Sequence, residues 1–123
     1  MTFVSQFGGR NTITGRNFVG LQQGGSNNAY NILRALLSQY GAQNNANGVY
    51  GSGLRQASNP WWGSNNISNA VNSNLVQSGA SNNANNLWNS NLSQFGRNNV
   101  ATGVHGGVIN QVGSGGINFV QVA

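Results

Sequence analysis

An all-β fold is expected for this chain: a β-solenoid of about seven stacked strand-turn coils with a period near 17 residues. The first ground is a glutamine that returns along the whole sequence, as Gln6, Gln22, Gln39, Gln56, Gln77, Gln94 and Gln111. The second is a pattern, Q-x-G-x-x-N-x-A, in phase with it. Gln39, Gly41, Asn44 and Ala46 recur as Gln77, Gly79, Asn82 and Ala84, then as Gln94, Gly96, Asn99 and Ala101. The third is composition: 19 Gly and 24 Asn among 123 residues supply turns in number. The apolar residues hold a fixed phase that a disordered low-complexity segment would not need. Residues 1–123 are read as one repeat domain.

The coils follow in order along the chain. The first carries Gln6, Gly8 and Asn11, with Ile13 in the alanine place, and the second carries Gln22, Gly24, Asn27 and Ala29 after a one-residue deletion. Between Tyr30 and Leu37 the apolar residues come near helical spacing, but Leu37 and Gln39 are in phase with every other repeat, so strand-turn-strand is expected. In the third coil Gly41 is read as a turn residue of positive φ, Asn47-Gly48 as a turn dipeptide, and Gly51-Ser52-Gly53 as the turn back to Leu54. The fourth coil, from Gln56 to Asn65, holds four added residues, read as a loop insertion over 57–64 with the only proline, Pro60. Trp61 and Trp62 on that loop are expected to fold back over an end of the apolar column; the alternative is an exposed aromatic knob for carbohydrate or subunit contact. The fifth and sixth coils are regular. The seventh is anchored at Gln111, and 118–122 reads as a further strand.

Two residues before the glutamine stands an aliphatic: Val4, Leu37, Leu54, Leu75, Leu92 and Ile109. Alternation puts both on one face of a strand, so stacking makes an aliphatic column beside a glutamine column. A buried amide is costly alone, but an identical amide one coil above and below supplies donor and acceptor. Asn11, Asn27, Asn44, Asn65, Asn82 and Asn99 make the second such column, and the alanines mark a third with room only for a methyl group. Six residues beyond the asparagine comes a half-exposed column of Asn17, Leu33, Tyr50, Val71, Trp88 and His105, in which the lone histidine is read as a tolerated aromatic.

The chain has no Asp, Glu or Cys and one His. That removes carboxylate pairs, carboxylate-oriented histidines, thiolates and zinc or iron–sulfur sites, so the sequence reads as that of a non-enzyme without cofactor. The net charge of +5 comes from Arg10, Arg16, Arg34, Arg55 and Arg97, none with a side-chain acid in its own chain. They serve solubility or attract polyanions, and they fall at different phases of the repeat. No stretch has the ~18 apolar residues of a membrane span. The first residues are no signal peptide, so for a secreted protein the leader would lie outside this sequence and Met1 would be an added initiator. Neither end carries a helix, charge cluster or proline to blunt an open edge, so head-to-tail polymerisation into a cross-β fibre is expected.

The motif Q-x-G-x-x-N-x-A resembles the curlin repeat of bacterial curli fibre subunits over nearly the whole chain. The resemblance implies a secreted, extracellular or cell-surface homopolymer of a biofilm matrix, with a nucleator subunit and secretion machinery as partners. It implies that Gln6, Asn11, Gln39, Asn44, Gln77, Asn82, Gln94 and Asn99 stack along the fibre. Curlin repeats are usually longer, with a second Gln after the Ala and scattered acidic residues, so two-sheet and three-faced coils both stay open. Two other functions compete: a monomeric ice- or surface-binding solenoid, and a polyanion- or nucleic-acid-coating protein.

Overall fold

The computed structural model describes residues 2–122, apart from the side chains of residues 114 and 115; Met1 lies outside them. The described chain is all strand and turn: β1 Thr2–Phe7, β2 Arg10–Arg16, β3 Phe18–Gln23, β4 Ser26–Leu33, β5 Leu36–Tyr40, β6 Gln43–Tyr50, β7 Gly53–Ala57, β8 Ser64–Val71, β9 Asn74–Ser78 and β10 Ser81–Val122. Among the described residues no helix is long and apolar enough to cross a membrane. Odd-numbered strands stack in parallel on one face and even-numbered strands on the other, and β10 closes the order β1-β3-β5-β7-β9-β10-β8-β6-β4-β2. β10 is long because it runs through successive coils without a break: residues 81–88 pair with β8 and 91–95 with β9. Each coil is therefore two strands and two turns, and the choice between two and three faces falls to two.

Register keeps like on like. Gln6 pairs with Gln22, Gln22 with Gln39, Gln39 with Gln56, Gln56 with Gln77 and Gln77 with Gln94. Asn11, Asn27, Asn44, Asn65 and Asn82 pair in succession on the other face. The long step after Gln56 is absorbed in a turn over 58–63. Ala57 and Ser64, assigned to the insertion by sequence, are strand ends paired with Tyr40 and Gln43. The deletion in the first coil falls between Thr14 and Gly15, where pairing jumps from Tyr30 to Ile32. Arg16, not Asn17, thus stands in the column of Leu33, Tyr50, Val71 and Trp88.

Asn17 belongs instead to a column of left-handed corners with Arg34, Gly51, Asn72, Asn89 and Gly106. A second left-handed column, Asn31, Gly48, Asn69, Asn86 and Gly103, bends the second strand of five coils. Asn and Gly tolerate this region where a bulkier L-residue is strained, which accounts for six of the 24 asparagines. Asn47-Gly48 accordingly lies within β6 and is not a turn between strands. Gly41, by contrast, has no positive φ. A Cβ there would sit 1.8 Å from the carbonyl oxygen of Gly24, so glycine is required because stacked turns touch backbone to backbone. Ser58 takes this place in the fourth coil, where the longer turn makes room. Its Oγ accepts from Asn65 Nδ2 at 3.2 Å, as the carbonyls of Gly41 and Gly79 accept from Asn44 and Asn82.

The alanine column is not limited to a methyl group. Ile67 lies in it, paired with Ala46 and Ala84, and is 1% exposed. Room comes from the neighbouring column, where Ile32, Val49, Ala70 and Leu87 pair in succession. Ala46 goes with Val49 and Ala84 with Leu87, whereas Ile67 goes with Ala70 and Ile13 with Gly15. Core volume is conserved coil by coil, as close packing demands. Similarly, Gly20 interrupts the aliphatic column, and the buried ring of Phe18 covers the place where its side chain would be.

Candidate functional site

The interior of each coil is crossed by two amides. Gln22, Gln39, Gln56, Gln77 and Gln94, and Asn27, Asn44, Asn65, Asn82 and Asn99, are wholly buried. In the glutamine column each Nε2 donates to the Oε1 of the preceding coil. The chain of bonds runs from Gln111 through Gln94, Gln77, Gln56, Gln39 and Gln22 to Gln6 at 2.7–3.0 Å. The same Nε2 donates to a carbonyl on the opposite strand of its own coil, as Gln39 does to Asn45 and Gln56 to Asn66. A flipped amide would set oxygen against that carbonyl, so the backbone fixes the direction.

The asparagine column runs the other way. Each Nδ2 donates to the Oδ1 of the following coil, from Asn11 through Asn27, Asn44, Asn65, Asn82 and Asn99 to Asn118, at 2.7–2.8 Å. Asn118, which the sequence reading placed in a strand but not in the ladder, extends it; its step from Asn99 is 19 residues, so the 17-residue rule skipped it. Each Nδ2 also donates to a carbonyl of the following coil, as Asn44 does to Ala57. Among the described residues no buried side-chain polar atom lacks a partner. Two opposed ladders thus satisfy a core that would otherwise be untenable.

A third ladder escaped the sequence reading. Ser52, Ser73 and Ser90 are buried, and their Oγ atoms accept from the backbone N–H of Ala35, Ser52 and Ser73. Their spacing repeats that of the glutamines four places on, a signal present in the sequence. A fourth ladder lies on the outer side of the even-numbered face, where Asn83, Asn66, Asn45 and Asn28 are linked side chain to side chain.

The ladders end in unequal rungs. At the first coil, Gln6 Nε2 donates only to the Thr12 carbonyl and Asn11 Oδ1 accepts nothing among the described residues. At the last, Gln111 Oε1 accepts nothing and Asn118 Nδ2 donates to nothing among the described residues. Large exposed apolar side chains gather here, Phe3 and Phe7 at one end and Val108, Val112, Ile117 and Phe119 at the other.

The remaining candidates lie apart. Trp61 and Trp62 do not fold back over the apolar column: they are 70% and 73% exposed at the tip of the 58–63 turn, because that turn leaves the stack at its middle coil, where the column has no open end to cover. All five arginines are exposed and no two share a column, so no charged stripe forms. His105 stacks on Trp88, ring centroids 3.9 Å apart and planes 7° from parallel. No family model, curated protein or solved structure matches this chain.

Proposed function

We propose that this protein is a structural subunit that self-assembles head to tail into a curli-like extracellular fibre of a biofilm matrix or cell surface, without catalysis. The observation that carries this reading is the pair of amide ladders running through every coil and ending, at both outer edges, in unused hydrogen-bonding groups beside exposed apolar side chains. Edges of this kind template further strands. The curlin-like motif supports the extracellular setting and the nucleator and secretion partners. A fibre built this way repeats about every 34 Å, seven coils at about 4.8 Å each.

The test is negative-stain microscopy with fibre diffraction on purified protein at neutral pH without nucleic acid. Unbranched fibres with a meridional reflection near 4.7–4.8 Å are expected. Protein that stays monomeric and β-rich overturns the proposal. The outer ladder of Asn28, Asn45, Asn66 and Asn83 then favours the surface-binding reading. The arginine positions lend no support to a polyanion-coating role, and assembly indifferent to salt would count against it.

A further inference from the structure

The two ladders point in opposite directions, so each end of the molecule offers one donor and one acceptor. The first coil presents an N–H of Gln6 and the Oδ1 of Asn11; the last presents the Oε1 of Gln111 and the N–H groups of Asn118. Placed one coil beyond the last in the register of every other pair, the first coil of a second copy sets Gln6 over Gln111 and Asn11 over Asn118. In that register Phe3 covers Val108 and Val4 covers Ile109, apolar on apolar.

We infer that copies join in one direction only, by a reciprocal exchange between amides. Gln6 Nε2 of the incoming copy donates to Gln111 Oε1, and Asn118 Nδ2 donates back to Asn11 Oδ1 of the incoming copy. This rests on the assembly reading above and adds to it the atoms that set direction. Each partner supplies one donor, so each end can be silenced alone. Within its own chain Gln6 is an acceptor from Gln22, and Asn118 is an acceptor from Asn99. A carboxylate keeps both of those roles and loses only the donor that faces the joint, apart from the exposed Gln6 bond to Thr12.

The experiment uses Q6E and N118D, each checked for wild-type circular dichroism as a monomer. At pH 7 either variant alone elongates wild-type seeds more slowly by roughly tenfold or more, because a carboxylate is buried against an acceptor. Mixed in equal amounts, the two give a species of twice the 12.9 kDa chain mass and nothing longer, since the last coil of Q6E and the first coil of N118D remain competent. Below the ordinary Glu pKa of about 4.3 the protonated side chain of Q6E becomes a donor again and elongation recovers. The chain has no other acidic side chain, and the strands packed against residue 6 carry only Arg10 and Arg16, both exposed on β2. Wild type at the same pH is the control for every other effect of acid. A dimer from either variant alone means that ends join like to like and overturns the inference, as does a mixture that stays monomeric or variants that elongate at the wild-type rate. Failure of the wild type to form fibres overturns the assembly reading itself.

Discussion

Replacing Gln56 by leucine asks whether a buried amide rung holds the coils together or merely fills space. Gln56 is wholly buried, donates to Gln39 Oε1 at 2.8 Å and to the Asn66 carbonyl at 3.1 Å, and accepts from Gln77 Nε2 at 3.0 Å. Leucine matches its bulk but leaves three groups short of a bond. At about 1–3 kcal/mol for each buried group left unsatisfied, the gross loss is about 3–9 kcal/mol. Extra apolar burial offsets about 1–2 kcal/mol of this. The net loss is a large part of the roughly 5–15 kcal/mol that holds a domain of this size. Urea unfolding of the freshly prepared monomer, followed by circular dichroism, should show a midpoint lower by about 1 M or more, or no folded baseline. Asn66→Ala, on the outer ladder where water can replace the lost bonds, should shift stability by only about 0.5 kcal/mol. A Gln56→Leu protein as stable as wild type would refute the reasoning, since the column would then need bulk and not hydrogen bonds.

Two further predictions concern packing and backbone. Ile67→Ala should cost about 2–5 kcal/mol and Ala70→Leu about 1–3 kcal/mol alone, but the double variant reproduces the Ala84/Leu87 arrangement of the next coil and should regain most of the loss. Additive losses in the same urea assay would show that the two columns do not share volume. Arg34 has φ 51 in a corner column otherwise held by Asn and Gly, so Arg34→Gly should raise stability by about 0.5–1 kcal/mol. A fall in the unfolding midpoint would mean that the arginine side chain contributes more than its backbone costs.

Coil number, period and the members of the glutamine and asparagine columns could be read from the chain because identical residues at a fixed step are a one-dimensional property. Strand alternation then tells which of them point inward. Even the irregular steps were legible: four residues inserted after Gln56 and one missing before Gln22 both leave the motif intact on either side. What failed were readings that need the neighbouring coil. Turn chemistry points to a positive φ at Gly41, yet the reason for glycine is a carbonyl of the coil beneath. The alanine column looked limited to a methyl group because the matching change from Ile32 to Ala70 lies in another column. The tryptophans read as a cover for an apolar end, and only the stack shows that their turn leaves it at the middle.

The sequence was therefore sufficient for a solenoid of about seven amide-laddered coils. Only the folded molecule decided that each coil has two faces, that Asn118 joins the ladder and Arg16 displaces Asn17, and that the two ladders run in opposite directions. Those features depend on which carbonyl each amide meets across the coil and on how much room the next coil leaves. Neither distance is encoded in spacing along the chain; both exist only when coil is set on coil.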